Sequence, residues 1–82
     1  MVSRELKAAV SLEARVAALF VQNASRFPCR QMLRRGTMEV NCKSIMGIVA
    51  ISILEGQTVT ITCDGPEEAE ALDTLSKMLS EA

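Results

Sequence analysis

The sequence predicts an α+β domain whose four strands and three helices follow the order βαββαβα. Two observations carry this. Stretches of period-two alternation and of helical spacing succeed one another along the chain. Each change of period is marked by Gly, Pro, Ser or an acidic pair. With 82 residues the chain is expected to form a single domain, 1–82. The simplest arrangement has two layers, a four-stranded antiparallel sheet with its apolar face on the helices and a Thr-rich face toward water.

In chain order, Leu6, Ala8 and Val10 alternate with Glu5, Lys7 and Ala9 and predict a half-buried first strand. Ser11-Leu12-Glu13 reads as a turn. From Ala14 to about Arg26 the period becomes helical, with Val16, Leu19, Phe20 and Asn23 or Ala24 on one stripe and Pro28 as the stop. Cys29 to Arg35 predicts a second strand, with Gln31 and Leu33 on one side and Met32 and Arg34 on the other. Gly36 joins it as a hairpin to a third strand in which Met38, Val40 and Cys42 alternate with Glu39 and Asn41. Ser44 is placed to cap a short apolar helix of Ile45, Met46, Gly47, Ile48 and Val49, which Gly47 weakens. After the Glu55-Gly56 turn, Gln57 to Cys63 gives the clearest strand, with Val59, Ile61 and Cys63 on one face and three threonines on the other. Asp64-Gly65-Pro66-Glu67-Glu68 predicts a helix start, with Asp64 as cap and Pro66 in the first turn. Ala69, Leu72, Leu75, Met78 and Leu79 mark that helix's buried stripe.

Composition excludes several functions. Nine basic and ten acidic side chains leave a net charge of −1, unlike the positive excess of a nucleic-acid binder. Two phenylalanines, with no Tyr or Trp, make a poor stacking platform for single strands. The chain has no His, so the usual general base and the commonest zinc ligand are missing. No metal and no cofactor are expected. Cys29, Cys42 and Cys63 are an odd, widely spaced set and read as core thiols in a reducing cytosol rather than a disulfide framework. No stretch has the form of a signal peptide or a membrane span, so a cytoplasmic protein is expected.

Lys43-Ser44-Ile45-Met46-Gly47 resembles the regulatory-serine segment of HPr, the small phosphocarrier of the bacterial sugar phosphotransferase system. The Val40-Asn41-Cys42 strand leading into that serine is also similar to the family. So are Ala17-Ala18-Leu19-Phe20-Val21-Gln22 with Ser25-Arg26-Phe27 in the first helix, and Gly56 with Val59-Thr60-Ile61-Thr62 in the last strand. The resemblance implies an open-faced β-sandwich with three helices on one face of the sheet. The family's first helix opens with Gly-Leu-His-Ala-Arg-Pro, whose His accepts phosphate from enzyme I and passes it to sugar permeases. Here the corresponding run is Ser11-Leu12-Glu13-Ala14-Arg15-Val16. Arg15 is retained and Glu13 stands where the His would be.

An imidazole forms a transferable phosphoramidate, whereas a carboxylate would have to form an acyl phosphate. Phosphocarrier activity of the ordinary kind is therefore not expected. Glu13 reads either as a plain helix-start acid or as a fixed charge imitating a phosphorylated carrier. A sub-class without the His, the catabolite-repression HPr-like proteins of bacilli, is similar to this chain, although it carries Gln at that position and keeps the neighbouring Gly and Pro. It acts with a transcription regulator of the CcpA type. The resemblance implies that Ser44 is phosphorylated by an HPr kinase/phosphorylase and that Glu13, Arg15, Lys43, Ser44, Ile45, Met46 and Val49 meet partners. The plain alternative for Ser44 is an N-cap, and both roles are compatible. Arg30, Arg34 and Arg35 read as a charged sheet edge. The expected function is regulatory rather than enzymatic, in carbon catabolite regulation. The competing expectations are a diverged phosphocarrier with another acceptor, touching enzyme I or permease components, and a constitutive interaction module.

Overall fold

The computed structural model of the chain describes residues 1–80. The elements are β1 (Val2–Lys7), α1 (Ala14–Ala24), β2 (Arg30–Arg35), β3 (Met38–Asn41), α2 (Ile45–Ile51), β4 (Thr58–Asp64) and α3 (Glu68–Ser80). The order βαββαβα is the one the periodicity predicts. The strands form one sheet in the order β1-β4-β2-β3, with every pairing antiparallel. α3 lies on β1 and β4, α2 lies against β3, and α1 packs on both helices. This is the open-faced sandwich, with the second face of the sheet left uncovered.

Register explains which residues are buried. Leu33 sits opposite Ile61, and Gln31 opposite Cys63, so these four share the helix-facing side. Val59, Ile61 and Cys63 are buried there, as their alternation predicts, while Thr58 is exposed and Thr60 and Thr62 are half-buried on the open side. Phe20, Ile48, Ile51, Leu75 and Leu79 bring the helices onto this core. The β2–β3 hairpin closes with Arg35 opposite Met38, and Gly36 takes the positive φ of 62° that such a tight loop demands.

Several elements differ from the sequence expectation. The first strand is Val2–Lys7 rather than the alternating run ending at Val10, because its partner β4 is paired from Val2 opposite Cys63 to Lys7 opposite Thr58. Ala8 is buried beyond the strand, its N–H donated to the Gln57 carbonyl at 2.8 Å. α1 ends at Ala24 rather than Arg26, and its buried face is Ala17, Phe20 and Ala24, with Leu19 exposed. The third strand stops at Asn41, one residue before Cys42. α2 runs on to Ile51, past Val49. Asp64 is the end of β4 and does not cap α3, which begins after Pro66, at Glu68. Glu68 reaches back to accept the Gly65 N–H at 3.0 Å, and this bond above all holds its carboxyl below the usual range. Starting the helix there turns Ala69 to solvent and buries Ala71 in its place.

All three cysteines are buried and free. They gather around Gln31, itself fully buried, whose amide donates to the carbonyl of Cys29 at 3.2 Å and to its sulfur at 3.4 Å. Burial, followed by the neighbouring thiols, pushes Cys42 far up and Cys63 to about 11. A thiol that holds its proton and has no path to solvent is a poor nucleophile. Native protein at pH 8 should therefore react with an aromatic disulfide reagent far more slowly than the same chain in denaturant, and monitoring thiolate release checks this. Stability should also decline in alkali. In the unfolded chain the Cys42 and Cys63 thiols ionise near their ordinary value of about 8.5, while in the folded protein these two stay protonated, so stability present below that pH is lost as pH rises toward 11.

Candidate functional site

α2 is seven residues long, far below the length at which a helix is stable alone, about 12–15 residues. Its ends are therefore held by other groups. At the start, Ser44 adopts an extended conformation (φ −102°, ψ 112°) and its Oγ accepts the Gly47 N–H at 3.1 Å. The Ser44 carbonyl takes the Ile48 N–H at 2.9 Å. Upstream, the Lys43 N–H is donated to Asn41 Oδ1 at 2.8 Å, fixing the approach to the cap. At the far end Ser52 is left-handed, with φ 53°, and Arg35 donates Nη2 and Nε to the Ile51 carbonyl at 2.8 and 3.3 Å. A cation at a helix C-terminus is favourably placed in the helix dipole.

Ile48 and Ile51 point into the core, and the opposite face of α2 is apolar and exposed. Ile45 is 45% exposed, Met46 81% and Val49 54%. With Ala50 they form one open apolar surface. Of the apolar residues of this helix, Ile48 turns to the core, while Ala50 joins Ile45, Met46 and Val49 on the exposed side. Met46, flexible and polarizable, is the most exposed member, a residue type suited to adaptable contacts.

Beside this surface lies a groove of about 210 Å³. Leu12 and Ile53 form its buried base, and Val49 and Leu54 flank it. Glu13, Ala14 and Ser52 complete the lining. Glu13 is the N-cap of α1, yet its side chain makes no cap hydrogen bond and no ion pair among the described residues. Ala14 carries a positive φ of 49°.

The structure thus brings Ser44, Ile45, Met46 and Val49 together on α2 and joins Glu13 to them through Val49. Lys43 is half-buried immediately before the cap. Arg15 lies exposed in the first turn of α1 but lines neither the groove nor the apolar surface. Ser52, Ile53 and Leu54 line the groove but carry no assignment in the sequence reading, which passes from the apolar helix to the Glu55-Gly56 turn. An exposed Leu beside a turn is the one signal that marks this segment. Among the described residues no group of three or more His, Cys, Asp or Glu side chains is placed to hold a metal ion. No helix among them is long and apolar enough to cross a membrane.

The Ser44 cap is directly testable. Ser44→Ala should lower unfolding stability by about 1 kcal/mol, read as a shift in the urea midpoint at unchanged slope. Ser44→Asp should keep the cap and recover most of the loss, since a carboxylate both accepts the Gly47 N–H and suits the helix N-terminus.

Comparison with known proteins places these features in context. The family described as PTS HPr component phosphorylation site matches residues 3–81. The HPr-like protein Crh of Halalkalibacterium halodurans is 42% identical over 71 residues, which cover 87% of this chain and 84% of that protein. The HPr-like protein Crh of Bacillus subtilis is 40% identical over 77 residues, covering 94% and 91%. Among solved structures, the phosphocarrier protein HPr from Bacillus anthracis superposes with a TM-score of 0.93 at 38% identity, covering 96% of each chain.

Proposed function

The chain belongs to the HPr family, and on that premise we propose that it is a regulatory member controlled by phosphorylation of Ser44. Its role is in catabolite regulation, by analogy with the Crh proteins it resembles. It works in the cytoplasm through protein contacts and catalyses no reaction of its own. The modifying enzyme is an HPr kinase/phosphorylase, and the phosphorylated form docks on a transcription regulator of the CcpA type. Enzyme I and sugar permease components are the partners of the competing reading, in which another residue accepts phosphate. Glu13 takes the place of the phosphoacceptor imidazole, and the chain contains no His to substitute for it.

One observation carries this reading: Ser44 caps α2 at the edge of the exposed Ile45–Met46–Val49 surface. A phosphoserine adds about −1.5 to −2 charges and three strong acceptor oxygens. The Gly47 N–H already bonds Ser44 Oγ at 3.1 Å, and the Ile45 and Met46 N–H groups, which have no carbonyl partner within α2, are placed to bond the added oxygens. The added charge therefore favours the helical end and leaves the fold in place, while it changes the rim of an apolar contact surface. A partner with a basic rim is gained and one with an acidic rim is lost. Arg15, Lys43, Ile45, Met46 and Val49 are the contact residues of this scheme, with Ser44 as the switch.

Incubation with ATP, Mg²⁺ and an HPr kinase/phosphorylase should add one phosphate per chain, seen by intact mass. Ser44→Ala should abolish the addition. A wild-type chain that takes up no phosphate removes the switch.

A further inference from the structure

The groove beside α2 has an electrostatic character that the Ser44 reading does not use. Glu13 lines it with a carboxylate that has no partner among the described residues. Glu55 follows the lining residue Leu54, and its N–H is fixed by donation to Ser11 Oγ at 3.0 Å. No basic residue lines the groove. The C-terminal end of α2, where backbone carbonyls carry partial negative charge, opens onto it at Ser52. This helix end already binds a guanidinium from the sheet side, where Arg35 donates two bonds to the Ile51 carbonyl.

The groove is also preformed. The Leu12 N–H is donated to the Ile53 carbonyl at 2.9 Å, tying its two sides together. Ala14 (φ 49°) and Ser52 (φ 53°) line it from α1 and α2, and they are two of the three non-glycine residues with positive φ among those described. Such backbone is retained only where the surroundings over-determine it, and it collects at binding sites. A rigid recess loses little entropy when filled.

An apolar trough with an unpaired carboxylate at its lip suits a side chain with an aliphatic stem and a cationic head. From this geometry we infer that the groove receives an arginine side chain of a protein partner, the stem lying on Val49 and Leu54 and the guanidinium on Glu13. The site thus has the opposite polarity to one built to hold a phosphoryl group. The positive end of α1 does not recruit an anion there, because the Glu13 carboxylate already stands before it. The inference rests on the reading of this end of the molecule as a docking face, but not on phosphorylation of Ser44.

The test uses the full ¹⁵N-labelled chain titrated with N-acetyl-L-arginine amide and followed by two-dimensional NMR. The amide signals of Ala14, Ser52 and Leu54 should move saturably, with a dissociation constant in about the millimolar range. N-acetyl-L-citrulline amide, which has the same shape without the charge, should bind about threefold more weakly, the effect of one exposed charge pair. Glu13→Gln should weaken arginine binding about threefold, the effect of one exposed charge pair. Equal response to citrulline, arginine affinity unchanged in Glu13→Gln, or a stronger response to N-acetyl-L-glutamate amide would each overturn the inference. So would movement of the same signals with the chain's own concentration, which would make a second copy the occupant. The kinase assay scores Ser44 separately, so failure of one reading is distinguishable from failure of the other.

Discussion

The attachment of α2 is the constraint on which the rest of the molecule's surface depends. Seven residues cannot hold a helix by hydrogen bonding alone. Ile48 and Ile51 are fully buried and supply the packing that does so. Gly47 makes the approach close enough. A Cβ there would come within 3.1 Å of the Val40 Cβ and 3.4 Å of Ser44 Oγ. Gly costs a helix roughly 0.5–1 kcal/mol relative to Ala, so on propensity alone this residue is a defect. In place it lets α2 lie on β3 with the cap intact. With two isoleucines committed inward, Ile45, Met46 and Val49 have only solvent to face, and the apolar surface follows.

The start of α1 is governed by a different arrangement. Its N-cap contributes no side-chain bond, so the helix entry is fixed by the loop across from it. The Leu12 N–H reaches the Ile53 carbonyl, the Glu55 N–H reaches Ser11 Oγ, and the Gly56 N–H reaches the Ala8 carbonyl at 2.7 Å. Three bonds to the 53–56 segment do the work that a Ser or Asp cap does elsewhere. That frees the Glu13 carboxylate from a structural duty and lets it face outward. The same bonds carry the backbone strain at Ala14, since the entry is held from both sides.

Much of this was legible in the sequence, and the misses have physical reasons. The Val59-Thr60-Ile61-Thr62 alternation announces β4 because both faces of a two-layer sheet differ in polarity there. Ser44 followed by an apolar run announces the cap of α2. The first strand is misplaced because Leu6, Ala8 and Val10 keep alternating past the point where pairing ends. Ala8 is buried, but its N–H bonds to Gln57 beyond the last register pair. Small residues cannot reveal phase, so the last helix is started early and Ala69 stands where Ala71 belongs. Leu19 looks as apolar as Phe20, yet at about 100° per residue it lies off the face that buries Ala17, Phe20 and Ala24, and it meets solvent. The groove is the least legible feature. It joins residues 12–14 to 49–54, and only the packing of α1 on α2 brings those segments together.

The two ends of α2 also set how far one event can influence the other. Seven residues at 1.5 Å per residue separate Ser44 from the groove by roughly 10 Å, slightly more than the Debye length of about 8 Å at physiological salt. Two unit charges that far apart in water interact by only about 0.4 kcal/mol before screening, and salt removes most of this. A phosphate at Ser44 therefore acts on what touches the first turn of α2 and leaves the polarity around Glu13 almost unaltered. Direct electrostatic coupling is too weak to make the two sites a single switch. They can act together only through a partner large enough to cover both, for which the apolar surface of Ile45, Met46 and Val49 is the shared ground. In that arrangement the apolar contact supplies the affinity common to both forms, the phosphate decides when it is used, and the groove decides which side chain is accepted.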